Sequence, residues 1–162
     1  AEFDSRGMNT LMEHHESIGH DYDEPDAYYF FEDKALKLNL TICNKDEEGL
    51  EDASIKLAFP RAKDFDVADR LYTCPSDKRT PLEMEMLDYP EVQRLTGGTI
   101  VRASLGYLAS NSSQRVFNCA LRLAVGPTMQ NKKVGIKYTL RAKNKQCPGR
   151  GRLRIKFGTV SA

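Results

Sequence analysis

The chain has 162 residues, of which 40% are hydrophobic and 29% are charged, and its formal net charge is +1. These values are typical of one water-soluble domain that is large enough to bury a core without disulfides. The apolar runs are only a few residues long, which excludes a membrane-spanning helix, and no signal peptide is visible at the N-terminus.

The charges are distributed very unevenly along the chain. Residues 1–91 hold all 23 acidic residues and 10 Lys or Arg, whereas residues 92–162 hold 14 Lys or Arg and no acid. Two arrangements would explain this segregation. The two blocks neutralise each other across the folded domain, or the basic block is displayed toward an anionic partner.

The N-terminal residues predict a tail ahead of the domain. Residues 1–7 look like a cloning scar before Met8, and residues 8–27 form an acidic segment that we interpret as flexible. The histidines lie together in this segment without a second ligand cluster, and metal sites need convergent, oriented ligands. We therefore predict no metal and no cofactor.

An aromatic run, Tyr28-Tyr29-Phe30-Phe31, follows the acidic tail. It is too dense in aromatic side chains to remain in water, so we expect it to begin the packed domain, residues 28–162, or to cover an exposed sheet edge.

The next segments alternate between apolar and polar residues, which is typical of half-buried strands. This pattern covers residues 36–42 and then residues 53–59, where Pro60 ends the run. Residues 61–91 give weaker signals. In them Leu82, Met84 and Met86 alternate with two acids, which we interpret as a solvated strand face.

A second β-rich region begins near residue 99. Residues 116–125 predict a strand on which Arg122 projects outward, and strands over residues 134–142 and 153–157 follow. The count is seven to eight strands separated by turns, with no amphipathic crossover helices between them. We predict an all-β fold, an antiparallel two-sheet β-sandwich, with a closed barrel as the alternative.

The cysteines show neither metal-binding nor catalytic spacing, because none forms a C-x-x-C pair. We interpret them as free thiols of a reducing compartment, with disulfides as the alternative, and expect Cys119 and Cys43 to be buried. Unpaired cysteines and the lack of a visible signal peptide favour a cytoplasmic location. The four positions are Cys43, Cys74, Cys119 and Cys147.

No catalytic motif is present in the sequence. A G-x-S-x-G elbow, an H-E-x-x-H helix and a phosphate-binding loop are all absent, and Thr96-Gly97-Gly98-Thr99 is typical of a hairpin turn. We therefore predict that the protein is not an enzyme.

The strongest constellation is a group of cations near the C-terminus. Residues two apart on a strand point the same way, so Arg152, Arg154 and Lys156 would share one face. Like charges that lie opposite each other in a sheet repel, so an anionic group should compensate them. Either the chain's own acids, such as Glu48 and Glu51, or a partner would do so. The candidate partner-binding residues are Arg141, Lys143, Lys145, Arg150, Arg152, Arg154 and Lys156.

These observations predict a non-enzymatic protein-interaction domain, an adaptor or accessory module with a basic C-terminal surface. Its partner would be another protein or a neighbouring domain of a larger chain, and we expect no membrane partner. The alternative is a nucleic-acid-binding module that uses the same basic strands. Self-association through an uncovered edge strand is a third hypothesis, with Tyr28 to Phe31 as its place.

Two segments resemble a known class of domain. Residues 36–45 followed by residues 50–60 resemble the opening hairpin of immunoglobulin-like accessory domains of the CARDB type. Residues 134–144 and 151–157 are similar to the closing hairpin of immunoglobulin-like domains that accompany bacterial DNA-binding or ATPase modules. The resemblance implies that the predicted antiparallel two-sheet β-sandwich is immunoglobulin-like (Ig-like) and that its role is a non-catalytic accessory one, and it supplies no site residues.

Overall fold

The computed structural model describes residues 27–72 and 79–158. Within these ranges the chain forms ten strands, and all of their pairings are antiparallel. The all-β prediction is confirmed. The strands number ten rather than seven to eight, and they form three sheets in the described part of the chain rather than two.

The strands vary from three to eleven residues in length. Their bounds are β1 Leu36–Leu38, β2 Thr41–Asn44, β3 Leu50–Pro60, β4 Phe65–Val67, β5 Glu91–Leu95, β6 Gly98–Leu108, β7 Ser112–Arg115, β8 Leu121–Val125, β9 Lys133–Arg141 and β10 Gly149–Lys156. The helical elements are a π-helical turn at Tyr29–Asp33, the helix α1 at Pro81–Met86 and a 3-10 turn at Pro127–Met129.

The largest sheet has five strands in the order β10-β9-β3-β6-β5. A three-stranded sheet, β1-β8-β4, lies across the core from it, and β2 pairs with β7. Alternate side chains of β3 and β9, such as Leu57 and Ile136, are fully buried and share one apolar core with Leu121 and Leu123 of β8. Burial of each such side chain contributes roughly 2 kcal/mol. This core fixes which side of the large sheet faces solvent.

The alternating segment 36–42 forms two strands rather than the single predicted one. Between β1 and β2, the Asn39 side chain donates a hydrogen bond to the carbonyl of Phe117 at 2.8 Å. Its Oδ1 accepts from the Phe117 N–H at 3.1 Å and from the Leu40 N–H at 2.9 Å. An amide side chain therefore replaces the backbone ladder here, and the chain passes from one sheet to the next.

The predicted strand at residues 116–125 begins only at Leu121. Arg122 lies on the side of β8 away from the main core, but it is not solvent-exposed as predicted. Its relative exposure is 9%, because Glu32 accepts from its Nε at 2.9 Å and from its Nη2 at 3.2 Å. Glu32 belongs to the π-helical turn, which covers this side of the sheet.

The aromatic run forms this π-helical turn rather than an edge strand. Phe30 and Phe31 are buried in a second apolar cluster with Tyr72 and Ala124, and Phe31 stacks on Tyr72 with ring centroids 5.3 Å apart. The run therefore belongs to the packed domain. The last residue of the predicted tail, Ala27, is buried in the same cluster, and residues 1–26 lie outside the described ranges.

Residues 81–86 form the helix α1, so the interpretation of this segment as a strand is wrong. Thr80 caps the helix by accepting from the Glu83 N–H at 3.2 Å, and the Glu83 carboxylate accepts from the Thr80 N–H at 2.6 Å. Pro81 occupies the first helical turn. This capping box with an N-terminal proline outweighs the short apolar alternation.

The described cysteines are free thiols. Cys119 is buried as expected, whereas Cys43 is exposed and lies 3.3 Å from the Ser113 hydroxyl. Cys74 lies outside the described residues. No helix in the described part of the chain has the length and apolar character needed to cross a membrane.

Candidate basic sheet face

The solvent-facing side of the five-stranded sheet carries a row of opposed cations on β10 and β9. Arg152 lies directly opposite Lys137, and Lys156 lies opposite Lys133. All four side chains are exposed. They point outward because the intervening residues of each strand, such as Ile136, pack into the core.

The cations continue across the next two strands of the sheet, β3 and β6. On β3, Lys56 lies opposite Thr139 of β9 on one side and Arg102 of β6 on the other. Arg141 lies opposite Ser54. We call the nine exposed cations on this side of the sheet the basic face: Lys56, Arg102, Lys133, Lys137, Arg141, Arg150, Arg152, Arg154 and Lys156.

The dimensions of the basic face follow from sheet geometry. Neighbouring strands lie about 4.8 Å apart, and successive outward residues on one strand lie about 6.8 Å apart. From Arg150 to Lys156 the outer row is therefore about 20 Å long, and the four basic strands together are about 14 Å wide. The face is a continuous cationic surface rather than a single pair of side chains.

The acids of the described ranges, residues 27–72 and 79–158, form no salt bridge with this surface. Among the described residues, none of the nine cations forms an ion pair. The described acids that border the face are Glu91 of β5, which lies opposite Arg102, and the exposed Glu51 and Asp52 of β3, in the irregular pairing before Ser54. Arg102 donates to the Gln93 side chain at 3.0 Å.

Two predicted site residues lie instead at a corner where acids are present. Lys145 forms an ion pair with Glu48 at 3.2 Å, and this hydrogen bond and charge hold the pKa of Glu48 below its usual range. The backbone N–H of Lys143 donates to the Glu51 carbonyl at 2.7 Å. Compensation within the chain, one of the two explanations for the charge segregation, therefore occurs at Lys145.

The other five predicted site residues belong to the basic face. Arg150, Arg152, Arg154 and Lys156 follow one another at alternate positions of β10, and Arg141 ends β9. The structure thus brings together the β10 cations with Arg141, and it separates Lys145 from them by pairing it with Glu48.

Four members of the basic face were not among the predicted site residues. Lys133 and Lys137 are on the polar side of the β9 alternation, and this signal in the sequence could have identified them. Lys56 and Arg102 could not be found in this way. They join the face only because β3 pairs with both β9 and β6, and these pairings link distant parts of the chain.

The glycines Gly151 of β10 and Gly135 of β9 have different environments. A Cβ atom at Gly151 would collide with the Tyr138 ring, so this glycine makes room for an aromatic side chain that packs against the core. Gly135 lies at a position of β9 that faces solvent. It lies opposite Arg154 on the basic face, and a Cβ atom there would have only the Arg152 Cδ within 4 Å, at 3.8 Å.

A depression elsewhere on the surface lacks a single sign of charge. An open depression of about 540 Å³ is lined by Asp69, Arg70, Glu85 and Asp88 among other residues, with charges of both signs. Among the described residues, no group of three or more His, Cys, Asp or Glu side chains could hold a metal ion. His14, His15 and His20 lie outside the described ranges.

No protein-family model matches this chain, and no curated protein does either. The case for a function therefore depends on the geometry and charge of the basic face.

Proposed function

We propose that this chain is a non-enzymatic binding domain whose basic face contacts the phosphate backbone of nucleic acid. The observation that carries this proposal is the set of nine exposed cations on four adjacent strands, which have no ion-pair partner among the described residues. Cations held this close together repel one another, and a bound polyanion would neutralise them and relieve this repulsion.

The residues between the cations favour contacts to phosphates over contacts to bases. The uncharged outward positions near the centre of the face are small or aliphatic, for example Ala58, Ile100 and Ser104. The exposed Tyr107 lies beyond Gly106, where the pairing register of β3 and β6 shifts. Surfaces that read single-stranded bases need aromatic platforms. The basic face instead fits binding that is independent of sequence.

The length of the face sets the number of phosphates that it would contact. One strand of duplex DNA presents a phosphate about every 3.4 Å along the helix axis, so a row about 20 Å long spans about six of them. Six contacts correspond to a slope of about −5 in a plot of log affinity against log salt concentration. Affinity would then fall about a thousandfold between 50 and 200 mM salt.

A protein partner is the second candidate, and the position of β10 favours it. This strand is at the edge of the five-stranded sheet, so one side of its backbone is unpaired within the described residues. An acidic segment could add to this edge as a further strand and place carboxylates beside Arg152 and Arg154. The outward positions offer few apolar anchors, however, and protein interfaces usually depend on such anchors. This absence favours nucleic acid.

The fold proposal that accompanies this function is an immunoglobulin-like sandwich. The five-stranded and three-stranded sheets contribute to one core, which supports this assignment. The domain would then serve as an accessory module in a larger protein and would hold that protein on nucleic acid inside the cell.

The proposed function can be tested with a fluorescent 20-base-pair duplex DNA of arbitrary sequence, titrated with the protein at several salt concentrations. The test variant replaces Lys56, Lys137 and Arg152 with Ala. The matched control replaces Lys45, Lys63 and Arg115, which are exposed and lie outside the basic face. Both variants lose one Arg and two Lys, so their net charges are equal.

We expect the wild type and the control variant to bind with the steep salt dependence given above. The test variant should bind much more weakly, and its salt slope should be less steep by about three. Equal losses in the two variants would show that net charge alone causes binding. If the wild type does not bind the duplex at 50 mM salt, the proposal is wrong.

A further inference from the structure

The basic face contains one outward position without a side chain in the middle of β9, and that position is Gly135. Arg154 lies directly across from it, and Lys133 and Lys137 are the next outward residues on the same strand. The Arg152 side chain passes beside it, with its Cδ 3.8 Å from where a Cβ atom would be. Gly135 thus forms the floor of a notch, and these four cations border it: Lys133, Lys137, Arg152 and Arg154.

The fold itself does not require glycine at this position. Among the described residues, Gly98 and Gly106 have a φ in the left-handed region, which favours glycine, and Gly135 does not. A Cβ atom at Gly126 or Gly151 would collide with a neighbouring side chain, whereas at Gly135 it would make only an ordinary contact. Glycine also weakens the interior of a strand. Local structure therefore gives no reason for glycine here.

From this combination we infer that Gly135 admits one backbone phosphate of the bound nucleic acid to the surface of the sheet. This inference rests on the proposed function and names one contact point within the basic face. Without a Cβ atom, a phosphate oxygen can approach the strand closely. The guanidinium groups of Arg152 and Arg154 can donate paired hydrogen bonds to it, and the two lysines add positive charge.

The test replaces Gly135 with Thr, which suits a strand and fills the notch without a change in charge. Gly135→Ala is a smaller second variant, whose single methyl group would meet only the Arg152 Cδ. Gly97→Thr is the control, because Gly97 is exposed in the turn before β6 and has no atom within 4 Å of its Cβ position. Thermal melting checks the folding of each variant.

The probe is the same fluorescent 20-base-pair duplex across a salt series. We expect Gly135→Thr to melt at or above the wild-type temperature, to bind at least fivefold more weakly at 100 mM salt and to lose about one unit of salt slope, as expected for one lost phosphate. Gly135→Ala should show a smaller loss, and Gly97→Thr none.

Two negative results are distinguishable. If the wild type binds and Gly135→Thr, or Gly135→Ala where the Thr variant does not fold, binds equally well, the notch is not a phosphate site, although the proposed function stands. If the wild type does not bind the duplex at any salt concentration, the proposed function fails and this inference fails with it.

Discussion

Arg152 and Lys137 lie directly opposite each other on β10 and β9, and both side chains are exposed. Cross-strand pairs of like charge destabilise a sheet. Lys156 and Lys133 form a second such pair four residues away on each strand. The sheet therefore keeps cations in an arrangement that opposes its own stability, and this is the strongest argument that the face serves binding.

The first prediction is that the Arg152–Lys137 pair reduces the stability of the free protein. Arg152→Thr should raise the free energy of unfolding by about 0.5 kcal/mol at low salt, because it removes the repulsion and adds a residue that favours strands. The gain should shrink at 0.5 M salt, where repulsion is screened. Urea denaturation at both salt concentrations measures it. Arg115→Thr is the control, since Arg115 lies opposite Thr41. A loss of more than 0.5 kcal/mol for Arg152→Thr alone would contradict the prediction.

The second prediction concerns the amide that joins two sheets. Asn39→Ala should lower the free energy of unfolding by about 2 kcal/mol, because it leaves the N–H and the carbonyl of Phe117 without their partner. Asn39→Asp keeps the acceptor and loses the donor, so we expect an intermediate effect. Chemical denaturation of the three proteins gives the ranking. Equal stabilities for wild type and Asn39→Ala would show that the side chain does not hold β1 and β2 in place.

The third prediction concerns the ion pair between Glu32 of the π-helical turn and Arg122 of β8. The side chains of Arg122 and Glu32 are 11% and 17% exposed. Burial acts to lower the pKa of Arg122, but the hydrogen bonds and charge of Glu32 outweigh it, and the pKa is raised. Glu32→Ala should cost about 3 kcal/mol of stability, because it leaves the guanidinium without its counter-charge.

The control for this variant is Glu85→Ala, at an exposed acid on α1, which should change stability by less than about 0.5 kcal/mol. Thermal and urea denaturation measure both proteins. Similar stabilities for the two variants would contradict a structural role for the Arg122–Glu32 pair.

The fourth prediction is a loss of stability in alkaline solution. Burial, followed by the hydrogen bond to Asp69, raises the pKa of Tyr72 from 10.0 to about 12, and burial also raises the pKa of Tyr89. A raised pKa favours the protonated phenol in the folded state. The stabilisation that the protonated Tyr72 phenol contributes is complete below pH 10 and is lost as the pH rises from 10 through 12.

The free energy of unfolding should therefore fall between pH 10 and pH 12, and less steeply in Tyr72→Phe than in the wild type. Urea denaturation at a series of pH values tests this, with Tyr107→Phe as the control at an exposed ring. Equal slopes for wild type and Tyr72→Phe would mean that Tyr72 does not resist ionisation in the folded protein.

The sequence predicted the long regular strands well and the irregular connections poorly. Strands such as β3 and β9 alternate over many residues, so the sequence alone identifies their buried sides. The alternation predicts that Asn39 lies inside a strand, because its long-range contact with Phe117 is not visible in a local pattern. Thr80 and Glu83 have the spacing of a capping box, but the strand prediction used the apolar alternation of residues 82–86 alone.

The candidate site could be predicted only in part, again because a sequence pattern is local and strand order is not. The cations of β10 follow from alternation in a single strand. The contributions of Lys56 and Arg102 depend on which strands become neighbours, and strand order is set by non-local packing. The position of Gly135 opposite Arg154 likewise depends on the register between β9 and β10.

The most direct test of the central claim is to map the binding surface by NMR, with ¹⁵N-labelled protein titrated with the 20-base-pair duplex at low salt. We expect the backbone amide signals that shift to come mainly from β10, β9, β3 and β6, with Gly135 among the largest shifts. The signals of β1, β4 and β8, on the far side of the core, should stay in place. Shifts confined to those three strands, or no shifts at all, would contradict the account.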